Sequence, residues 1–228
     1  MARRARTRGR DLHQLPPGRH GLPRAFVAAN QRERILSAVA DVASVAGYRD
    51  MTVEGVIVTA GVSRKTFYEH FKSKDEAFLA AFDAVLEQLF AAVREAYGRE
   101  QRPEARLSAA LAAFLGFFAR EPGFARMCIV EAVAAGPEAV ERRNATMATF
   151  ARIIDENARE LDSALEPSGL TAETIVGGIY EVIFARVVRG EIRELPALLP
   201  DLMYSVLLPY AGPEAALAEY QRLQRTAA

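Results

Sequence analysis

The chain has 228 residues, half of them hydrophobic, with 29 Lys and Arg balanced by 29 Asp and Glu and a single cysteine. That apolar content suffices for one large or two small domains. One cysteine excludes an internal disulfide, and Cys128 with only His13, His20 and His70 cannot assemble a zinc site, so the composition fits a reducing, cytoplasmic setting with no metal or other cofactor.

The uncharged runs fall short of the roughly 20 residues a membrane span needs, so no membrane partner is expected. The Arg-rich N-terminus lacks the apolar segment of a secretory signal. Zero net charge conceals a division: through Asp75 fourteen Lys and Arg face seven Asp and Glu, and the remainder is acidic by the same margin. Such an asymmetry predicts one end that faces phosphates and another that faces elsewhere.

Residues 1–24 carry seven arginines against Asp11, broken by Pro16, Pro17, Gly18, Gly21 and Pro23, and no apolar periodicity. They read as a basic flexible arm, either a solvated tail or a strap over phosphates and a minor groove. From about Asn30, Ile35, Leu36, Val39, Val42, Ala43 and Ala46 form the stripe of a helix that Gly47 stops.

Three helix starts then follow within 25 residues. Thr52 and Ser63 are N-cap residues, and Ser73 with Glu76 three positions later makes a capping box. Ala60, Gly61 and Val62 supply a small residue, a glycine suited to positive φ and an apolar plug, the chemistry of a tight helix-turn-helix corner. On the helix from Ser63 to Phe71, Phe67 and Phe71 share an inner side, while Arg64, Lys65 and Tyr68 fall outside with Thr66 and His70 at the margins. A major groove accepts such a face: Arg and Lys meet guanine edges, Thr a thymine methyl, Tyr and His phosphate oxygens. Lys74, on the first turn of the next helix, adds a charge beside free backbone N–H groups, and Thr52 completes the set of expected DNA contacts. The competing reading is an ordinary core helix with a solvated basic face.

Residues 30 to 80 resemble the DNA-binding region of the tetracycline-repressor (TetR) family of bacterial regulators. Thr52, Ala60-Gly61-Val62-Ser63, Thr66-Phe67-Tyr68, His70-Phe71, Lys74 and Phe78 stand at that family's spacings, although Val56-Ile57 replaces its usual Ile-Ala. The resemblance implies an all-α protein: a helix-turn-helix domain over residues 25–73, then a helical ligand-binding and dimerisation domain over 74–228 that begins with a long fourth helix.

That helix reads from Ser73 to about Tyr97. Further helices are expected at about Glu104–Arg120, Phe124–Ala135 and Glu138–Leu165, bringing Phe114, Phe117, Phe118, Met127 and Phe150 into an apolar interior. Glu131, Asn157 and Tyr180 are the candidate polar groups of a small-molecule pocket there, against the plainer reading of a filled core. Thr171–Arg189 and Leu195–Leu208 are apolar around more of their circumference than surface helices, which suits either a homodimer interface, as the resemblance implies, or burial within one subunit, and Pro213–Leu223 is a last amphipathic helix.

A helical enzyme is disfavoured, because the three histidines lie outside the C-terminal half and no nucleophilic triad or phosphate loop can be assembled. The expected function is a homodimeric repressor on a double-stranded, pseudo-palindromic operator, released by a small apolar or amphipathic effector. The alternative is a DNA-binding regulator that acts through protein partners alone.

Overall fold

A computed structural model describes residues 23–161, 165 and 167–227; the basic arm lies almost wholly outside them. Every regular element among the described residues is helical, and none of the helices is long and apolar enough to cross a membrane. The order is α1 (Arg24–Asp50), α2 (Val53–Ala60), α3 (Arg64–His70), α4 (Lys74–Gly98), α5 (Pro103–Arg120), α6 (Pro122–Ala125), a π-helical segment (Arg126–Glu131), α7 (Ala132–Ala134), α8 (Pro137–Ala158), α9 (Thr171–Val188), a 3₁₀ stretch (Ile192–Leu198) and α10 (Leu199–Ala227).

The local starts form through the side chains the sequence offers. Thr52 accepts the N–H of Gly55, Ser63 that of Thr66, and Ser73 that of Glu76. The Glu76 carboxylate reaches back to the N–H of Lys72 at 2.7 Å, closing the box one residue earlier than the usual pattern. Gly61 ends α2 at φ 61°, ψ 41°, and its N–H bonds back to the last turn of that helix. Arg34, from α1, donates to the carbonyls of Ala60 and Gly61, satisfying groups that the end of α2 leaves unpaired.

Three boundaries differ from the sequence reading. α1 begins at Arg24, several residues before the expected start, and continues past Gly47 as a short turn after a kink. α8 stops at Ala158 rather than Leu165, its end tightened by bonds from Glu160 N–H to the Asn157 carbonyl and from Leu161 N–H to that of Ala158. The last two expected helices form the single element α10, kinked at Gly212 and preceded by the 3₁₀ stretch.

Gly47 sits at φ 80°, ψ 158°, a region in which L side chains are strained. An added Cβ would also lie 3.4 Å from Glu131 Oε2. Gly47→Ala is therefore expected to cost about 2 kcal/mol, lowering Tm by about 4–8 °C in a thermal melt.

One core runs through both parts of the molecule. Ile35, Val39 and Ala43 of α1, Val56 of α2, Phe67 of α3 and Phe78 and Phe82 of α4 bury together, and the same cluster continues into Leu115, Phe118, Met127 and Ile183. A second cluster joins α5, α8, α9 and α10 through Leu107, Ile154, Val176, Met203 and Leu207.

Candidate nucleic-acid interface and internal cavity

α3 has only seven residues and holds its orientation through its inner side. The Phe67 side chain is fully buried, and Phe71 is nearly so. The Tyr68 ring stands edge-on to Phe67 at 5.4 Å, yet half of Tyr68 faces outward. Arg64 and Lys65 are 63 % and 87 % exposed, each within only 3.8 Å of one exposed carboxylate, Glu54 and Glu69 respectively. Surface pairs this loose contribute little, so both cations remain available to an incoming anion. Thr66 and His70 are half-buried at the margins, with the Thr66 hydroxyl 2.9 Å from that of Ser63. Thr52 is exposed at the head of α2.

Lys74 departs from its expected place on a phosphate. Its ammonium is turned inward, donating to the carbonyls of Tyr48, Arg49 and Met51 at 3.1, 3.2 and 3.0 Å and lying 4.8 Å from the Tyr48 ring centre. The residue that begins α4 thus caps the end of α1. Tyr48 is held from several sides: its hydroxyl donates to Asp75, its ring meets Phe78 edge-on, and its backbone N–H donates to Glu131 Oε2 at 2.8 Å. Burial, reinforced by the Asp75 carboxylate, raises the Tyr48 hydroxyl pKa to about 12.

Within the C-terminal helices lies an apolar cavity of about 120 Å³. A single water needs only about a tenth of this. Phe82, Leu86 and Leu89 of α4 form one wall, Leu111, Phe114 and Phe118 of α5 another, and Met147, Phe150 and Ile154 of α8 a third, with Ile179, Tyr180 and Ile183 of α9 behind. The Phe150 ring stacks on Phe90 and meets Phe114 edge-on, which ties α8 to α4 and α5.

Of the eight residues expected at a pocket, Phe114, Phe118, Phe150 and Tyr180 line this cavity. The other four do not. Phe117 turns toward Phe124, with ring centres 6.2 Å apart. Met127 is completely buried in the core. Asn157 is filled by a hydrogen bond from the Tyr97 hydroxyl and donates to the Pro103 carbonyl, both at 2.8 Å, so it joins the end of α4 to the start of α5. Glu131 faces the corner of α1.

Glu131 closes a π-helical segment, Arg126–Glu131, that packs against α1, and its carboxylate accepts the Tyr48 N–H there instead of entering the cavity. The same segment presents Cys128 and Ile129 to the cavity, and the Ile129 carbonyl accepts the Tyr180 hydroxyl at 2.7 Å. Burial raises the pKa of both Tyr180 and Cys128, so the thiol stays protonated and apolar.

Arg143 is a cavity residue that the sequence reading passed over. Its guanidinium lies 4.1 Å from the Tyr180 ring centre, and its Nε is buried with no hydrogen-bond partner. The signal was present: Arg143, Met147, Phe150 and Ile154 fall on one stripe of α8.

A short helix buried on one side and bearing cations on the other, set by a tight turn against two supporting helices, defines a helix-turn-helix DNA-binding protein. Residues 35–81 match the family model of bacterial regulatory proteins of the tetR family, and the chain belongs to that family of transcriptional regulators. It is 28 % identical over 167 residues to the HTH-type transcriptional activator FasR of Mycolicibacterium smegmatis, a match spanning 73 % of this chain and 75 % of that protein. Among solved structures, the fatty acid degradation regulator FadR of Bacillus halodurans shares the fold with a TM-score of 0.67 at 19 % identity, over 78 % of this chain and 94 % of that one. FadR of Bacillus subtilis, solved in complex with stearoyl-CoA, does so with a TM-score of 0.66 at 19 % identity, over 79 % and 98 %.

Proposed function

We propose that the protein is a homodimeric, effector-responsive repressor that binds a pseudo-palindromic operator through paired α3 helices. The observation that carries this reading is the outward set of Arg64, Lys65 and Tyr68 on a helix locked from behind by Phe67. Thr66 and His70 flank the base-reading cations, and Thr52 meets a phosphate at the head of α2. Dimerisation is supported by the outer sides of α9 and α10: Val182, Val188 and Leu208 are exposed, and a Cβ added at Gly177 or Gly178 would meet nothing within 4 Å, leaving room for a close helix approach.

The effector reading rests on the apolar cavity, and the stearoyl-CoA of the B. subtilis FadR complex supports a ligand of acyl type. An effector weakens operator binding only by preferring a dimer geometry that mismatches the groove repeat of about 34–36 Å. The similarity to the activator FasR favours a second reading, activation, in which the same DNA contacts recruit transcription rather than block it.

Selection of bound fragments from random duplex DNA tests symmetry and half-site spacing together; recovery of unrelated, asymmetric fragments overturns the operator reading. On the selected site, Arg64→Ala is expected to cost about 1–3 kcal/mol and to relax base preference at its position. Equal losses on operator and random DNA, measured by fluorescence anisotropy, remove Arg64 from base readout. Release of the operator on adding an acyl ligand tests the effector reading, and the output of a reporter promoter carrying the selected site, lower or higher when the protein is present, separates repression from activation.

A further inference from the structure

We propose that Arg143 is the head-group site of the cavity, so that the effector is an amphiphile with an aliphatic body and an anionic head. This deepens the effector reading above and rests on it. Among the described side chains that line the cavity Arg143 is the sole charge, and Thr146 and Tyr180 are the other polar ones. The Tyr180 hydroxyl is already committed to the Ile129 carbonyl, so it offers the ligand little beyond its ring.

Arg143 is placed differently from its neighbour. Arg142 is paired with Asp83 at 3.0 Å and lies 3.9 Å from Glu138. Arg143 pairs with no carboxylate among the described residues; its Nη1 meets the Asn144 amide oxygen at 3.0 Å, and its buried Nε meets nothing. A guanidinium held over an aromatic face at the edge of an apolar chamber, with a donor left unmatched, is an electrostatically incomplete arrangement. An anion completes it, and the fork of N–H groups suits a carboxylate or a phosphate. The walls from Phe82 to Ile183 then enclose the alkyl chain.

Two sources share this chemistry: a free long-chain carboxylate, and an acyl thioester whose carrier bears phosphates. Titration calorimetry of the full-length protein with palmitate, palmitoyl-CoA and 1-hexadecanol distinguishes them. At least one anionic probe is expected to bind roughly tenfold or more tightly than the alcohol, and Arg143→Gln is expected to abolish that advantage while leaving the alcohol within about twofold. Arg143→Lys should retain part of the preference. A preference for palmitate assigns the site to the free acid, one for palmitoyl-CoA to the thioester, and either supports the proposal. Equal affinity for all three in the wild type, or a uniform loss in Arg143→Gln, overturns the head-group site while the cavity reading stands. Binding of none of them overturns both.

Discussion

Phe67→Ala is expected to remove about 3–5 kcal/mol of stability, the usual cost of emptying a fully buried phenyl site, and to lower Tm by on the order of 10 °C. Its effect on DNA should be larger still. α3 has seven residues, too few to persist as a helix in water without packing. The Phe67 ring is the contact from which Tyr68 and Phe71 take their positions. With the ring gone, Arg64 and Lys65 lose their common direction, so operator affinity should fall to the level of random DNA at temperatures where circular dichroism still shows a folded protein. Native affinity and an unchanged melting curve together would show that the helix is held by something else.

Lys74→Met separates two roles that one lysine can have. If the ammonium served a phosphate, the variant would bind every duplex more weakly and melt as the wild type does. The three carbonyls around its Nζ predict the reverse order of effects: a loss of about 2 kcal/mol, or about 4–8 °C in Tm, as the end of α1 loses its cap. Lys74 is partly solvated, so the loss corresponds to about one charge-assisted bond rather than three. Weakened DNA binding should then appear only as a consequence of the loosened corner, and should shrink when the assay is cooled well below the new Tm.

The residues whose roles were legible in the sequence act over three or four positions. Thr52, Ser63 and Ser73 cap the N–H groups that their spacing indicates, and Gly61 takes the positive φ that its turn requires. Phe67 and Phe71 point inward because a helix of fixed period leaves them no other side. What was not legible acts at long range. Lys74 reaches carbonyls 23 to 26 positions away, and Asn157 finds its partners 54 and 60 positions away; no local pattern encodes either. Glu131 likewise takes a backbone N–H 83 positions away. Arg143 was overlooked because a charge on a helix is usually solvated, and only the cavity beside it changes that expectation.

The π-helical segment touches both parts of the molecule. Ile129 takes the Tyr180 hydroxyl at the rim of the apolar chamber, and Glu131, two residues on, holds the backbone of Tyr48. Tyr48 in turn is gripped by Lys74 and Asp75 at the head of α4. Chamber and groove-facing unit are therefore separated along this route by only two peptide units, from Ile129 to Glu131, and under the proposed effector reading a ligand set against Ile129 would bear on the corner that orients α3.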